Sequence, residues 1–241
     1  MPDRPPLPGA IGASHLRVYD TSAPDGLAGG TPHLHTVCAE AYYVLGGAGV
    51  VQTLTLAGYQ ETPLEPGALV WFTPGTIHRL VNHGALEILV LMQNAGLPEA
   101  GDLVITLPPH LLEDMEAYRR AAELPEGERM TDGTGQAARA RRDLAVEGFV
   151  ALREAVVGGD SEALRAFHGA AARIVAPHIG AWRQVFESGP RAAVRETEQH
   201  LDRLLAGGDT GWLAGASVHH RPPPGALRRM GCCGTLGTLV P

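Results

Sequence analysis

A chain of 241 residues with 44% hydrophobic content can bury one large or two small cores, and none of its apolar runs approaches the length needed to span a bilayer. Its net charge is −7 and all 19 basic residues are arginine, which excludes chemistry that needs a lysine amine: Schiff bases, pyridoxal phosphate attachment and a Walker-type phosphate loop. Three cysteines, with Cys232 and Cys233 adjacent, argue against a disulfide scaffold and for reduced thiols. The opening residues 1–6 lack a charged-then-apolar signal pattern, so the expected compartment is cytoplasmic, with no membrane partner.

The first predicted elements are strands. His33 and His35, two apart, fall on the same side of an extended segment. Glu40 opens an apolar run to Leu45 that places Glu40, Tyr42 and Val44 on one face. The glycine-rich residues 46–49 are predicted to turn the chain into a second strand over 50–56, making a hairpin. Residues 69–72 form another apolar run, Pro74-Gly75 a turn, 78–81 a short strand and 86–92 a fully buried one. Short strands punctuated by Gly and Pro suggest an antiparallel barrel of the jelly-roll kind.

Past residue 108 the apolar period changes from two to three or four. One amphipathic helix is predicted over 110–122, ended by Pro125. After a polar linker over 126–135, a second runs to about Val157 with Ala145, Phe149, Leu152 and Val156 inward. Ser161 is a fair N-cap for a third, carrying Leu164, Phe167, Ala171 and Ile174. Pro177 should break it, Trp182 and Phe186 extend its apolar face, and Pro190 opens a fourth with Val194, Leu201 and Leu204 inward. The expected organisation is a barrel over 1–108, a helical extension over 109–206 that caps the barrel, stands as a separate bundle or makes a dimer surface, and a Gly/Pro-rich segment over 207–241 that packs on the body, adding an edge strand or covering the barrel opening.

Chemistry concentrates in two blocks. The first is Gly30-Thr-Pro-His33-Leu-His35, four residues, Glu40 and six more to Gly47; the second runs from Gly67 through Thr73-Pro-Gly75-Thr-Ile-His78 to Asn82. Neutral imidazoles and a carboxylate can close around a divalent transition metal and leave positions open for water, oxygen or substrate. Both blocks resemble the two motifs of the cupin superfamily, over roughly residues 30–95. The opening glycine of the first is out of register, and Thr73 stands where the second has proline. The resemblance implies an α+β chain, an antiparallel jelly-roll (cupin) β-barrel followed by a mainly helical C-terminal region, with His33, His35, Glu40 and His78 holding one divalent metal such as Fe, Mn, Ni or Zn.

Tyr42 and Gln52 are the candidate catalytic, pocket-lining residues, and Cys38 reads as a small buried residue. Gly231-Cys-Cys-Gly234 reads as a tight segment packed on the body. His168, His178 and His200 are isolated on helices. From residue 109 onward 16 arginines face 17 acidic residues, so no nucleic-acid partner is expected, and Arg139, Arg141, Arg142, Arg228 and Arg229 read as solvated or salt-bridged. A small-molecule ligand and a homodimer are the expected partners. Three readings follow: a dioxygenase-type metalloenzyme, a metal-dependent sugar or sugar-phosphate isomerase, epimerase or lyase, and a non-catalytic binding module. An isomerase needs a further acid or base, for which Tyr42, His83 and Glu87 are the candidates.

Overall fold

The structure, a computed structural model, describes residues 7–131, 135–207 and 210–240. Residues 1–6 and 132–134, where the signal-pattern reading and part of the predicted linker fall, lie outside them. The architecture is α+β, an antiparallel jelly-roll barrel followed by a mainly helical region. Among the described residues the strands are β1 (Gly12–Val18), β2 (His33–His35), β3 (Glu40–Thr55), β4 (Gly58–Leu64), β5 (Leu69–Phe72), β6 (Ile77–Met92), β7 (Leu103–Ile105), β8 (Met130–Thr131), β9 (Arg228–Met230) and β10 (Gly234–Val240). The sheet runs β4-β3-β6-β1-β10-β9-β8, with β5 on β3 and β2 joining β6 to β7. Its inner face buries Leu16, Val44, Val51, Leu64, Leu80 and Ile88 in one cluster.

The hairpin predicted at 46–49 does not form. Instead β3 runs on through the glycines, and its pairing with β6 shifts register at Val44/Gly46, Gly46/Ala48 and Ala48/Gly49. These glycines permit close strand approach: Gly47 has φ 75°, and a Cβ there would lie 2.1 Å from the Ala85 carbonyl oxygen. Likewise the strands predicted over 78–81 and 86–92 are one continuous β6.

Six α-helices follow among the described residues: α1 (Pro109–Leu112), α2 (Met115–Ala122), α3 (Gln136–Val157), α4 (Glu162–Val175), α5 (Ile179–Ser188) and α6 (Pro190–Leu205). The single helix predicted over 110–122 is split, because the Asp114 carboxylate caps α2 by accepting from the Glu116 N–H at 3.0 Å. At the start of α4 the side-chain acceptor is Asp160, not Ser161; it takes the Glu162 N–H at 2.9 Å. Pro177 lies in the 3-10 turn Ala176–His178 that separates α4 from α5. The expectation for α6 is corrected: Val194, Leu201 and Leu204 are all more than half exposed, since α6 packs along α5 and the turn Pro8–Ala10 at the outside of the molecule.

The helices do not form a separate bundle. Leu34, Leu54, Ile77 and Ile105 of the barrel share one core with Phe149, Leu164, Phe167 and Ile174. Of the arginines expected to be solvated or salt-bridged, Arg142 is salt-bridged to Asp143 yet buried, and Arg141 and Arg228 are neither solvated nor ion-paired among the described residues. Arg142 is 1% exposed and donates to the carbonyls of Thr21 (2.7 Å) and Ser22 (2.8 Å), and Arg141 and Arg228 are also buried, bonded to backbone carbonyls. The C-terminal segment supplies β10, which is no edge strand but lies between β1 and β9. The apolar run over 214–218 makes no strand; Gly211–Gly215 is a 3-10 turn. No helix among the described residues is long and apolar enough to cross a membrane.

Candidate metal centre

Register brings the four ligand-type residues together. His33 of β2 pairs directly with His78 near the start of β6. His78 in turn sits opposite Thr53 of β3, the strand that Glu40 opens. His35 lies on the same side of β2 as His33, as alternation requires. All four side chains are buried, and their candidate ligand atoms lie within 4.8 Å of one another.

Each imidazole is held by its Nδ1. In His33 it donates to the Thr31 carbonyl (2.8 Å), in His78 to the Thr76 carbonyl (3.1 Å), and in His35 to the Asp102 carboxylate (3.2 Å). A carbonyl or carboxylate only accepts, so the proton of each neutral ring resides on Nδ1 and the Nε2 lone pair faces inward. His78 Nε2 lies 3.1 Å from His33 Nε2 and 3.0 Å from Glu40 Oε2, and His35 Nε2 lies 3.5 Å from the same oxygen. Buried Glu40 Oε2 receives no hydrogen bond. Acceptors crowded together away from water repel unless a cation sits between them, so the donor set fits a divalent metal.

Electrostatics around the centre are consistent with that fit. Burial, with the neighbouring rings of His78 and His35, holds His33 well below its ordinary pKa. Burial also opposes ionisation of Glu40, but His78 and His35 outweigh it and keep the carboxyl below its usual range. His35 is pushed upward: burial disfavours its charge, yet the carboxylates of Asp102 and Glu40 prevail.

Asp102 escaped the sequence reading. It is fully buried, and besides His35 it accepts from the backbone N–H groups of Thr36 (2.9 Å), Val37 (2.8 Å) and Cys38 (3.1 Å), so one carboxylate shapes the turn into β3 and aims a ligand ring. The only hint in the sequence is an acidic residue directly ahead of the apolar run at Leu103.

The centre opens into a cavity of about 650 Å³ walled by His33, His35, Glu40 and Tyr42 of the barrel, residues of the helical extension, and Cys232 and Cys233. The Tyr42 hydroxyl is buried without a hydrogen-bond partner, and burial beside Glu40 pushes it well above its ordinary pKa, so it stays protonated. Gln52 is buried but lies outside the cavity wall, its amide donating to Glu61 on β4 at 3.0 Å. Cys38 is a small buried residue. Cys232 and Cys233 pack on the body through their carbonyls, which accept from the N–H groups of Thr31 (3.0 Å) and Tyr19 (3.1 Å), and burial pushes both thiols up.

His83 is exposed and outside the cavity, and Glu87 is engaged by His15 (2.8 Å) and Arg17 (3.2 Å). Of the helical histidines, His168 bonds the Gly75 carbonyl, His200 stacks on Trp212, and His178 alone lines the cavity.

Residues 21–92 match the family model described as Cupin domain. Among solved structures the chain is similar to KdgF from Halomonas sp., at 22% identity over 36% of this chain and 70% of that one with a TM-score of 0.28. It is also similar to a predicted oxalate decarboxylase from Thermotoga maritima, at 22% identity over 34% of this chain and 64% of that one, TM-score 0.26. A Streptomyces PAC13 variant with uridine matches at 15% identity over 34% of this chain and 58% of that one, TM-score 0.27. The match thus spans less than two thirds of the PAC13 and T. maritima chains, and such TM-scores carry no argument about function. No curated protein matches the chain.

Proposed function

We propose that this chain, whose residues 21–92 match the Cupin domain model, is a metal-dependent enzyme acting on a small organic molecule bound in the cavity beside the four ligand-type residues. The observation behind this reading is the convergence of three imidazole Nε2 atoms and Glu40 Oε2 at the base of a cavity of about 650 Å³. His33, His35, Glu40 and His78 would hold a divalent transition metal such as Fe, Mn, Ni or Zn, which would supply Lewis acidity and, in the case of iron, redox capacity toward dioxygen.

The chain's own residues do the rest. Asp102 and the carbonyls of Thr31 and Thr76 fix the ring tautomers. Leu16, Val90 and Ile105 in the cavity wall exclude water, and the protonated Tyr42 hydroxyl offers a hydrogen bond beside Glu40.

Dioxygenase-type chemistry is the preferred form of this reading, since two of the proton-transfer candidates, His83 and Glu87, lie away from the cavity. His178 in the cavity wall supports the second form, a metal-dependent isomerase or epimerase in which an imidazole moves a proton. The test is metal analysis of freshly purified protein and of His78→Ala, then oxygen uptake with diketones, phenols and thiols, and turnover of aldose and ketose phosphates. We expect near-stoichiometric metal that His78→Ala loses while keeping its fold, with oxygen uptake by at least one substrate class. Sugar-phosphate turnover without oxygen uptake would favour the second form. Metal-replete protein inert in both assays would contradict the enzyme reading and leave a binding module.

A further inference from the structure

One charge in the cavity wall has no part in the metal centre. Arg141 of α3 is 9% exposed and lines the same cavity as His33, His35 and Glu40. Its Nη1 donates to the Ala122 carbonyl at 3.2 Å and its Nη2 to the Gly231 carbonyl at 2.8 Å, while its buried Nε has no partner. Two carbonyls satisfy part of a five-donor guanidinium and none of its charge.

Two other buried arginines are ion-paired. Arg79 pairs with Asp25 and Arg142 with Asp143. Arg228 also rests on backbone carbonyls, those of His15 and Thr235, with no ion pair among the described residues and an unpartnered Nε, but it lies outside the cavity wall. No carboxylate pairs with Arg141 among the described residues. An unpaired buried charge is unfavourable, and one that faces a cavity is positioned to pair with a ligand of opposite charge.

The surroundings reinforce the sign. Arg129 and Arg229 also line the cavity, as does Arg119, which is paired with Glu116, against Glu40, Glu99 and Glu123. A divalent cation held by Glu40 would tip this near balance to positive.

We propose that the cavity takes a small organic anion whose carboxylate or phosphate group rests on the Arg141 guanidinium while the rest of the molecule reaches toward the His33, His35, Glu40 and His78 centre. This names the substrate class for the function proposed above and rests on that reading for the position of the site, but the arginine contact itself does not need the metal. It also gives the helical extension a task in recognition, since α3 carries the anion-binding group and the barrel carries the ligand cluster.

The test is calorimetric binding of malonate, inorganic phosphate and uncharged malonamide to chelated, metal-free protein, so that metal chelation by the probe cannot contribute. A charge-assisted bidentate contact predicts that malonate or phosphate binds at least about tenfold more tightly than malonamide. The tighter of the two anions identifies the oxyanion. Arg141→Gln, checked for folding by circular dichroism, should lose that preference, and Arg141→Lys should keep part of it.

Equal binding of malonate, phosphate and malonamide by the wild type overturns the inference whether or not the variants fold, as does an unchanged preference in folded Arg141→Gln. Anion preference in a protein that never takes up metal would leave this inference standing and sink the metal reading. Metal uptake without anion preference would do the reverse.

Discussion

His35 lies between two carboxylates, and that position makes the centre a competition between a proton and a metal. Asp102 accepts from its Nδ1 and Glu40 faces its Nε2, and together they raise the pKa of a ring that burial alone would lower. A cation at Nε2 has to displace a proton that is bound below this raised pKa. Metal affinity should therefore increase with pH through the His35 titration, and binding near neutral pH should release a proton, measurable by calorimetry in buffers of different ionisation enthalpy. Equal heats in all buffers would contradict it. Asp102→Asn removes the charge and turns an amide donor toward N–H groups among those of Thr36, Val37 and Cys38 that need an acceptor. We expect it to weaken metal binding about 10- to 100-fold and to cost about 1–3 kcal/mol in denaturant unfolding; full metal affinity with stability lost would reduce Asp102 to a brace of the turn. The four ligand-type residues were legible because short spacings and nearby turn residues place them. Asp102 was not, since it meets His35 only through the long return of the chain between them. Arg142 pairs with Asp143, as the sequence allowed, but Arg141 does neither of the two things expected of it, because an arginine looks the same in sequence whether it lies in water or in a wall.

At the scale of elements, the paired long strands β3 and β6 supply Glu40 and His78 while β2 supplies His33 and His35, and the β3–β6 pairing shifts register between Val44 and Gly49. A Cβ at Gly47 would lie 2.1 Å from the Ala85 carbonyl oxygen in a backbone with φ 75°, so Gly47→Ala should cost about 1–3 kcal/mol, measured as a shift in the unfolding midpoint. A neutral Gly47→Ala would show that the bulge relaxes freely. Period-two alternation gave β3 its correct inward face, Glu40, Tyr42 and Val44, but it could not separate a hairpin from a bulge. Both demand glycine, one to reverse the chain and the other to let two strands approach. The helical period located α3 and α4 for the same reason that it failed at α6. A stripe states that a face is apolar without stating that anything covers it, and Val194, Leu201 and Leu204 remain open to solvent.

At the scale of the molecule, barrel and extension are one body joined by buried polar contacts as well as by a shared core. Arg142 ties α3 to the loop after β1 through the carbonyls of Thr21 and Ser22, so Arg142→Met should destabilise the whole chain by about 1–3 kcal/mol in a single cooperative transition. Separate unfolding of barrel and helices would contradict that unity. The sequence left open whether the helices cap the barrel, stand apart or form an interface; α3 and the C-terminal strands supply cavity wall, a placement that depends on contacts between distant segments. All of this hangs on the shared focus of three imidazoles and one carboxylate. Anomalous diffraction from crystals grown with manganese or zinc tests it most directly. A single strong peak about 2.0–2.3 Å from His33 Nε2, His35 Nε2, His78 Nε2 and Glu40 Oε2 is predicted. Peaks only elsewhere, or metal-soaked crystals with those four side chains turned away from one another, would contradict it.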